Sequence, residues 1–348
     1  MAGLQPELLV DDGGGVGCYL TGTRLASPEG AVRVEDVAVG SMVLTANGDP
    51  RAVRWVGHRS YNCAQAPDPA VVWPIQIKPG AFADGQPSRD LWLSPGHAIL
   101  VGGVLIHAER LVNGATIVQV PRQEVHYWHV ELDSHDVLLA EDLPAESYLD
   151  MGNRLSFANG GEFVEAHPDF RPKHWAETCV PLVLEGPELE RAKSTLLERA
   201  QTLGYQTTTD PDVHISVDGN RIGPILIRPD CLAFVLPPQC TGIELRSRQF
   251  VPAQMKPSDK DSRSLGINVR RLQIDGVEIP LEQEHPFASG WHEHELDQAN
   301  DRSDWRWTTG QASLPDGARL IVVELNLWGV YWQCTPGDQP ERRLTAVR

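Results

Sequence analysis

The sequence predicts an all-β protein of two domains, a compact fold of short strands followed by a β-sandwich-like domain with one leading helix. Three observations predict it. Short runs with strand patterning recur along the chain, as in the alternating Ala52-Val53-Arg54-Trp55-Val56 and the nearly continuous apolar stretch from Ala70 to Ile77. Turn signals separate them at Ala46-Asn47-Gly48-Asp49, Ala83-Asp84-Gly85-Gln86-Pro87 and Val112-Asn113-Gly114. A single stretch carries helical spacing, and 348 residues are enough for two domains of ordinary size.

Residues 1–17 read as a leader and 18–155 as the first domain, strand after strand with few helix signals. Residues 156–176 are polar, carry Asn159-Gly160-Gly161, Pro168 and Pro172, and read as a surface linker. The second domain is expected over 177–348. Its helix starts at Glu188, just after Pro187, which suits a first turn, and stops at Gly204. Strand patterns then return at His214–Asn220, Leu232–Leu236 and Ile321–Leu325, the signature of a second all-β layer structure.

Composition narrows the function classes. A net charge of −17 repels nucleic-acid phosphates and anionic lipid, so no nucleic-acid partner is expected. No apolar run approaches the roughly 18 residues of a membrane span. The first residues show neither a basic nor an apolar signal region, which leaves a cytoplasmic and a secreted location both open. The cysteines, Cys18, Cys63, Cys179, Cys231, Cys240 and Cys334, contain no CxxC; a Cys231–Cys240 disulfide and buried reduced thiols are both readings.

The chemistry concentrates around Cys18. Gly13-Gly14-Gly15-Val16-Gly17 leads into Cys18-Tyr19-Leu20-Thr21-Gly22-Thr23, then Val39-Gly40 and Val43-Leu44-Thr45, with Leu93-Ser94-Pro95-Gly96-His97 further on. A sulfur can attack the carbonyl of the residue before it and exchange an amide for a thioester, an uphill step that needs strain and charge stabilisation. Gly17 suits the position before the cut, with no side chain to block the carbonyl. A histidine near neutral pH can protonate the departing nitrogen.

These blocks resemble the Hint module of hedgehog autoprocessing domains and inteins, and most closely that of bacterial Hint-domain proteins, over residues 18–155. The resemblance implies a Hint-type β fold in which Cys18 cuts the Gly17–Cys18 bond. It implies that His97 is the proton donor and that Ser94, in place of the family's threonine, orients the amide. The block Val125–Asp136 resembles the late strand of inteins. There His129 falls at or beside an aspartate position, as proton carrier or as core histidine, and His135 matches a later histidine. Ser147 stands where the hedgehog domain carries a cysteine.

Departures limit the outcome. No His-Asn ending lies near residue 150, so splicing is not expected, and Gly57-His58 replaces the aspartate of sterol-transferring relatives. The expected chemistry is thioester formation resolved by hydrolysis or an unknown acyl acceptor, without cofactor. In the second domain, Trp291, Glu295, Trp305, Arg306 and Trp307 are candidate ligand-binding residues for a glycan, or else core residues. His126 with His129 and His292 with His294 are the metal-like pairs, but none is assigned as a metal ligand. Three readings therefore compete: a self-cleaving protein, a Hint scaffold carrying a glycan-binding sandwich, and a metal-dependent hydrolase.

Overall fold

The computed structural model describes residues 17–161, 173–174, 177–283, 289–296, 304–326 and 329–333. The chain divides into two compact units, Met1–Leu203 and Gly204–Arg348, and the described residues are mostly antiparallel strands in both. The all-β expectation holds. Cys334 and the residues before Gly17 lie outside the described residues.

The first unit contains two six-stranded sheets. In the first sheet, β1 (Tyr19–Leu20) lies between Leu91–Leu93 and a long strand that pairs in turn with β2 (Trp55–Asn62). The second sheet holds β3 (Ala98–Val101), and its long-strand counterpart in the first sheet is β4 (Glu124–Glu131). The hairpin of β5 (Val137–Ala140) and β6 (Leu143–Glu146) completes the centre of the second sheet, with β6 beside β3. Tyr19, Ile75, Ile77, Leu91, Leu93 and Val130 of one sheet meet Leu25, Ile99, Leu138, Leu143 and Ala145 of the other in one core.

Turn chemistry sets the registers. Gly48 has φ +85° between the paired strands Met42–Leu44 and Pro50–Ala52. Gly102 and Gly103, both at positive φ, make the two-residue loop that matches strand twist best. Asn113 is buried, and its Oδ1 accepts the N–H groups of Ala115, Thr116 and Ile117, so the turn expected there is closed by its own side chain. Glu141 and Asp142 take the same positive-φ role without glycine between β5 and β6. Arg89 bonds both Glu141 carboxylate oxygens, at 3.1 and 2.9 Å, and offsets that backbone cost.

Two sequence expectations shift. The strand read over Ala70–Ile77 begins only at Ile75. Asp68 accepts the Ala70 N–H and Pro69 sits in the first turn, so residues 69–71 wind into a short 3-10 turn instead. The helix α1 (Pro187–Thr202) was expected to head the second domain, yet it belongs to the first unit. Leu189, Ala192 and Leu196 form one stripe buried in the first unit's core, and Arg199 bonds the Gly80 carbonyl at 2.8 Å and Asp84 at 2.5 Å. A helix with one apolar face goes where that face is covered.

Past β6 the chain stays docked as far as Gly161, while most of the expected linker, 162–172 and 175–176, lies outside the described residues. Phe157 is buried against Trp55 and Tyr148, and Asn159 donates to the Val56 carbonyl. The fastening is Arg154, which is buried, bonds Asp150 at 2.5 Å and Glu131 at 2.7 Å, and lies 4.2 Å over the Trp55 ring.

The second unit builds a four-stranded sheet of Asn220–Ile222, His214–Val217, Glu244–Arg246 and Gln311–Ser313, and a seven-stranded sheet centred on Cys231–Val235, Leu320–Leu325 and Asn268–Ile274. Ile215, Leu245 and Ala312 of the first share a core with Phe234, Val269, Leu272, Ile321 and Val323 of the second. Cys231 and Cys240 are free, and Cys240 Sγ donates to the Pro237 carbonyl instead. No helix among the described residues is long and apolar enough to cross a membrane.

Arg154→Met is expected to destabilise the first unit by about 3 kcal/mol, the low end for stripping one partner from a buried ion pair. The low end applies because burial already raises the Glu131 carboxyl above its usual value in spite of Arg154, so that it can take up a proton when the arginine is gone. Urea denaturation followed by tryptophan fluorescence measures this; a change below about 1 kcal/mol would show that the network does not fasten the segment.

Candidate active site

Cys18 is held across a gap between strands by a reciprocal pair of bonds. Its N–H donates to Ser94 Oγ at 2.8 Å, and its carbonyl accepts the Ser94 N–H at 2.9 Å. The Cys18 N–H belongs to the Gly17–Cys18 peptide itself, so the serine hydroxyl expected to orient that amide is bonded to it. Ser94-Pro95-Gly96-His97 is a tight turn closed by the His97 N–H on the Ser94 carbonyl at 3.1 Å, and the turn delivers His97 beneath β1. The solvated turn that such a tetrapeptide also allows is not what forms: His97 is fully buried, its ring 4.3 Å from that of Tyr19.

His129 lies on β4. Alternation along that strand puts Tyr127, His129 and Glu131 on one face, and His126, Trp128 and the core residue Val130 on the other. The His129 ring stands 5.1 Å from that of His97. Its Nδ1 accepts the Val130 N–H at 3.1 Å, which leaves Nε2 pointing at Gly17, where an added Cβ would meet it at 3.4 Å.

Glu146 ends β6 and completes the ring of groups. One carboxylate oxygen accepts the Ala98 N–H at 2.8 Å, the other lies 3.5 Å from His135 Nε2, and the backbone carbonyl accepts the Tyr19 hydroxyl. A Cβ at Gly17 would fall 2.7 Å from Glu146 Oε1 and 3.1 Å from His97 Cα, so a side chain before Cys18 must push the Glu146 carboxylate off its bond from Ala98. His135 therefore reaches the site through Glu146; its Nδ1 accepts the Cys179 N–H. Ser147 turns away and bonds the Asp136 N–H.

Burial dominates the electrostatics. It pushes the Cys18 thiol up to about 11, opposed by attraction and a hydrogen bond from the Arg59 guanidinium and reinforced by Glu146. It pushes His97 down to about 4, against the pull of the Glu146 charge, and His129 well below its ordinary value. Burial works against ionisation of Glu146 and of His135 too, but each is the other's partner. Glu146 ends below the usual carboxylate range, and His135, helped by Cys179, is pushed up to about 9. Before any reaction, Cys18, His97 and His129 are thus all neutral at pH 7, and a proton donor at His97 must first acquire its proton.

The structure gathers Gly17, Cys18, Ser94, His97 and His129, with His135 one residue further out. Sequence reasoning missed Arg59 and Glu146. On β2 the inward positions run Trp55, Gly57, Arg59, Tyr61, and one charge on an otherwise apolar face was the available signal. Glu146 carried no comparable mark.

The remaining candidates lie elsewhere. Trp307 is buried, Trp291 packs on the second unit's core and bonds the Ser313 carbonyl, and Trp305 bonds Glu295, which also takes Arg263 at 2.5 Å. Arg306 donates to the carbonyls of His292, Leu281 and Gln283. Those five residues lie on the paired strands Trp291–Leu296 and Asp304–Thr308, and the polar groups of Trp291, Glu295, Trp305 and Arg306 are bonded within the protein. His126 and His129 stand on opposite faces of an unbulged strand and form no ligand pair, and His292 is engaged by the Ser264 carbonyl. One group among the described residues has ligand spacing: one atom each from His97, His129 and Glu146, all within 4.8 Å of one another.

Residues 17–152 match the family model of the Hint domain. The chain is similar in structure to the MchDnaB-1 intein, at 18% identity and TM-score 0.28 over 36% of this chain and 98% of that one. It is similar also to the gp41-1 intein, at 14% identity and TM-score 0.28 over 38% and 98%. A bacterial intein-like domain from Clostridium thermocellum matches at 12% identity and TM-score 0.28 over 38% and 97%. No curated protein matches the chain.

The neutral buried histidine makes a pH prediction. With a folded pKa of about 4 against about 6.5 unfolded, the unfolded chain binds the extra proton between those values, so stability is full above about pH 6.5 and is lost as pH falls towards 4. In a Cys18→Ala background, His97→Gln should flatten the loss of urea stability between pH 7 and 4 by about 3 kcal/mol. An unchanged slope would mean that His97 is already protonated in the folded protein.

Proposed function

Taking residues 17–152 as a Hint domain, we propose that this protein cuts its own Gly17–Cys18 bond once, by an N-to-S acyl shift. The observation that carries the reading is the Ser94 clamp, with Oγ 2.8 Å from the nitrogen that must leave and His97 in the same turn. The Cys18 S–H proton passes to a neutral imidazole of the His97–His129 pair, and the sulfur bonds to the Gly17 carbonyl carbon. The imidazolium then returns that proton to the Cys18 nitrogen as the C–N bond breaks. The product is a thioester between Gly17 and the Cys18 sulfur with a free amine on Cys18. The histidine therefore acts first as base and then as acid, which revises the simple proton-donor role expected from the sequence. Arg59 favours the thiolate that the step needs.

Resolution of the thioester is assigned to water or an external nucleophile. At the end of β6 the site meets the Glu146 carboxylate, and a carboxylate cannot make the asparagine-type ring closure of splicing. In the second unit the polar groups of Trp291, Glu295, Trp305 and Arg306 are engaged within the protein, and the glycan reading gains no observation.

Mass spectrometry of the full chain in hydroxylamine, which captures thioesters, tests this. Loss of residues 1–17 is expected, Cys18→Ala should abolish it and Cys63→Ala should not. Gly17→Ala should also stop it, because the added Cβ would enter Glu146. His97→Ala should slow it roughly a hundredfold. An uncut wild-type chain after days, or cutting by Cys18→Ala, overturns the reading.

The rate should also stay level from about pH 6.5 to 9 with no rise centred on 8.5, since the proton passes from neutral thiol to neutral imidazole and the buried thiol titrates only at about 11. Arg59→Ala should lower the rate at pH 7.5 by about tenfold, because the guanidinium that opposes the burial of the thiol is lost. A rise that levels near 8.5 would show an unperturbed cysteine.

A further inference from the structure

The acyl shift makes no use of His135, although its side chain is fully buried. Its Nε2 lies 3.5 Å from the Glu146 carboxylate, its Nδ1 takes the Cys179 N–H at 3.1 Å, and the Cys179 side chain is hydrogen-bonded to the same ring. Among the described residues five cysteines are free; four are buried, and Cys179 alone is exposed. The segment that carries it is pinned. Val180 and Leu182 pack on Ala98, Leu105 and Val137. The Leu105 N–H donates to the Pro181 carbonyl at 2.8 Å, and the Val183 N–H to the Leu105 carbonyl at 2.8 Å. An accessible thiol is thus held against a buried imidazole that a carboxylate backs, the order of groups that activates a nucleophilic cysteine. Cys179 lies beyond residues 17–152, the stretch that matches the Hint domain.

We propose that Cys179 is a second reactive thiol of this protein, activated by His135 with Glu146 as the positioning residue, and that it forms mixed disulfides with small disulfide compounds. The carboxylate favours a proton on the ring, and an imidazolium beside sulfur favours the thiolate over the thiol. Burial on its own would lower His135; Cys179 and Glu146 outweigh it and lift the ring to about 9, so it is charged at pH 7. His129, which also faces it, is neutral. The charged ring donates from Nδ1 to the sulfur and gives up the bond it takes from the Cys179 N–H. In the reaction the thiol loses its proton to solvent, and the sulfur bonds to one sulfur of R–S–S–R. The S–S bond breaks, its electron pair leaves on RS−, and RS− takes up a proton. Cys179 is oxidised to the mixed disulfide, and the departing half is reduced to RSH. Cys18 and Cys63 are enclosed in the core and meet no such reagent. The site stands apart from the Gly17–Cys18 cleavage and does not rest on it.

The test uses the full chain carrying Cys18→Ala, with dipyridyl disulfide as the probe and the released thiopyridone read by its absorbance. One equivalent is expected in a fast phase at about pH 6.5, roughly tenfold or more faster than the thiols of the same chain in urea. Peptide mapping should place the modification on Cys179, and Cys179→Ser should remove the phase. His135→Gln and, separately, Glu146→Gln should each slow it about tenfold at that pH. At about pH 10, where an ordinary thiol is ionised, both should react within about threefold of the parent chain. A merely structural role would change the rate alike at both pH values. Near-ultraviolet circular dichroism shows which variants are folded; one folded variant decides, and with neither folded the comparison with urea does. A fast phase mapped to Cys63 or Cys334, a native rate no greater than that in urea, or a folded variant that matches the parent at about pH 6.5 overturns the proposal.

Discussion

The reciprocal hydrogen bonds between Cys18 and Ser94 are the interaction on which the first unit's chemistry depends. They satisfy the only backbone donor and acceptor that Cys18 has, in a place where an unpaired buried group would cost about 1–3 kcal/mol. They also commit the Ser94 side chain to one atom, the peptide nitrogen before Tyr19. Because the same tight turn carries His97, orienting the amide and positioning the imidazole are one structural act. Short β1 survives between two neighbours because this clamp extends its pairing by a residue.

Around the clamp, water is excluded, and exclusion decides the protonation states. A thiol, two imidazoles and a carboxylate share an enclosure where charge is expensive. The three groups that can be neutral are driven to be so: the thiol up, both histidines down. Glu146 alone keeps its charge, because the Ala98 N–H and His135 bond it. The result is a resting site whose thiol and two imidazoles are uncharged, in which one proton can circulate from sulfur to imidazole to nitrogen without net transfer to solvent. Arg59, bonded to the thiol side, is the counterweight that makes the thiolate reachable.

The enclosure has to be closed from behind, and Arg154 does this. Its ion pairs with Asp150 and Glu131 and its stacking on Trp55 draw the chain after β6 back over the first sheet. Phe157 then covers the cluster of Trp55, Tyr127, Tyr148 and Cys18. On the other side of the core, α1 covers the apolar ends of the sheets. Residues beyond the expected domain edge are thus part of the unit that holds the site, and removing them would uncover it.

Much of this was written in local patterns. Glycine before a cysteine, a Ser-Pro-Gly-His turn, strand alternation and Asn-Gly turns each depend on neighbouring residues, and such features read directly from the chain. Cys18 stood out that way, while Ser94, His97 and His129 were picked out by the resemblance to the Hint module. The start of the strand at Ile75 was not, because a capped 3-10 turn competes with strand propensity over only a few residues. Tertiary structure alone decided the rest. Which unit owns α1 depends on where an apolar stripe finds cover, and Glu146 entered the site only because β6 lies beside β3. Whether the tryptophans of the second unit face solvent depended on partners further along the chain, such as the Ser313 carbonyl for Trp291. The neutrality of the histidines followed from burial, which no single residue encodes. A sequence names the groups able to react; packing sets their distances and their surroundings, and so decides which of them do.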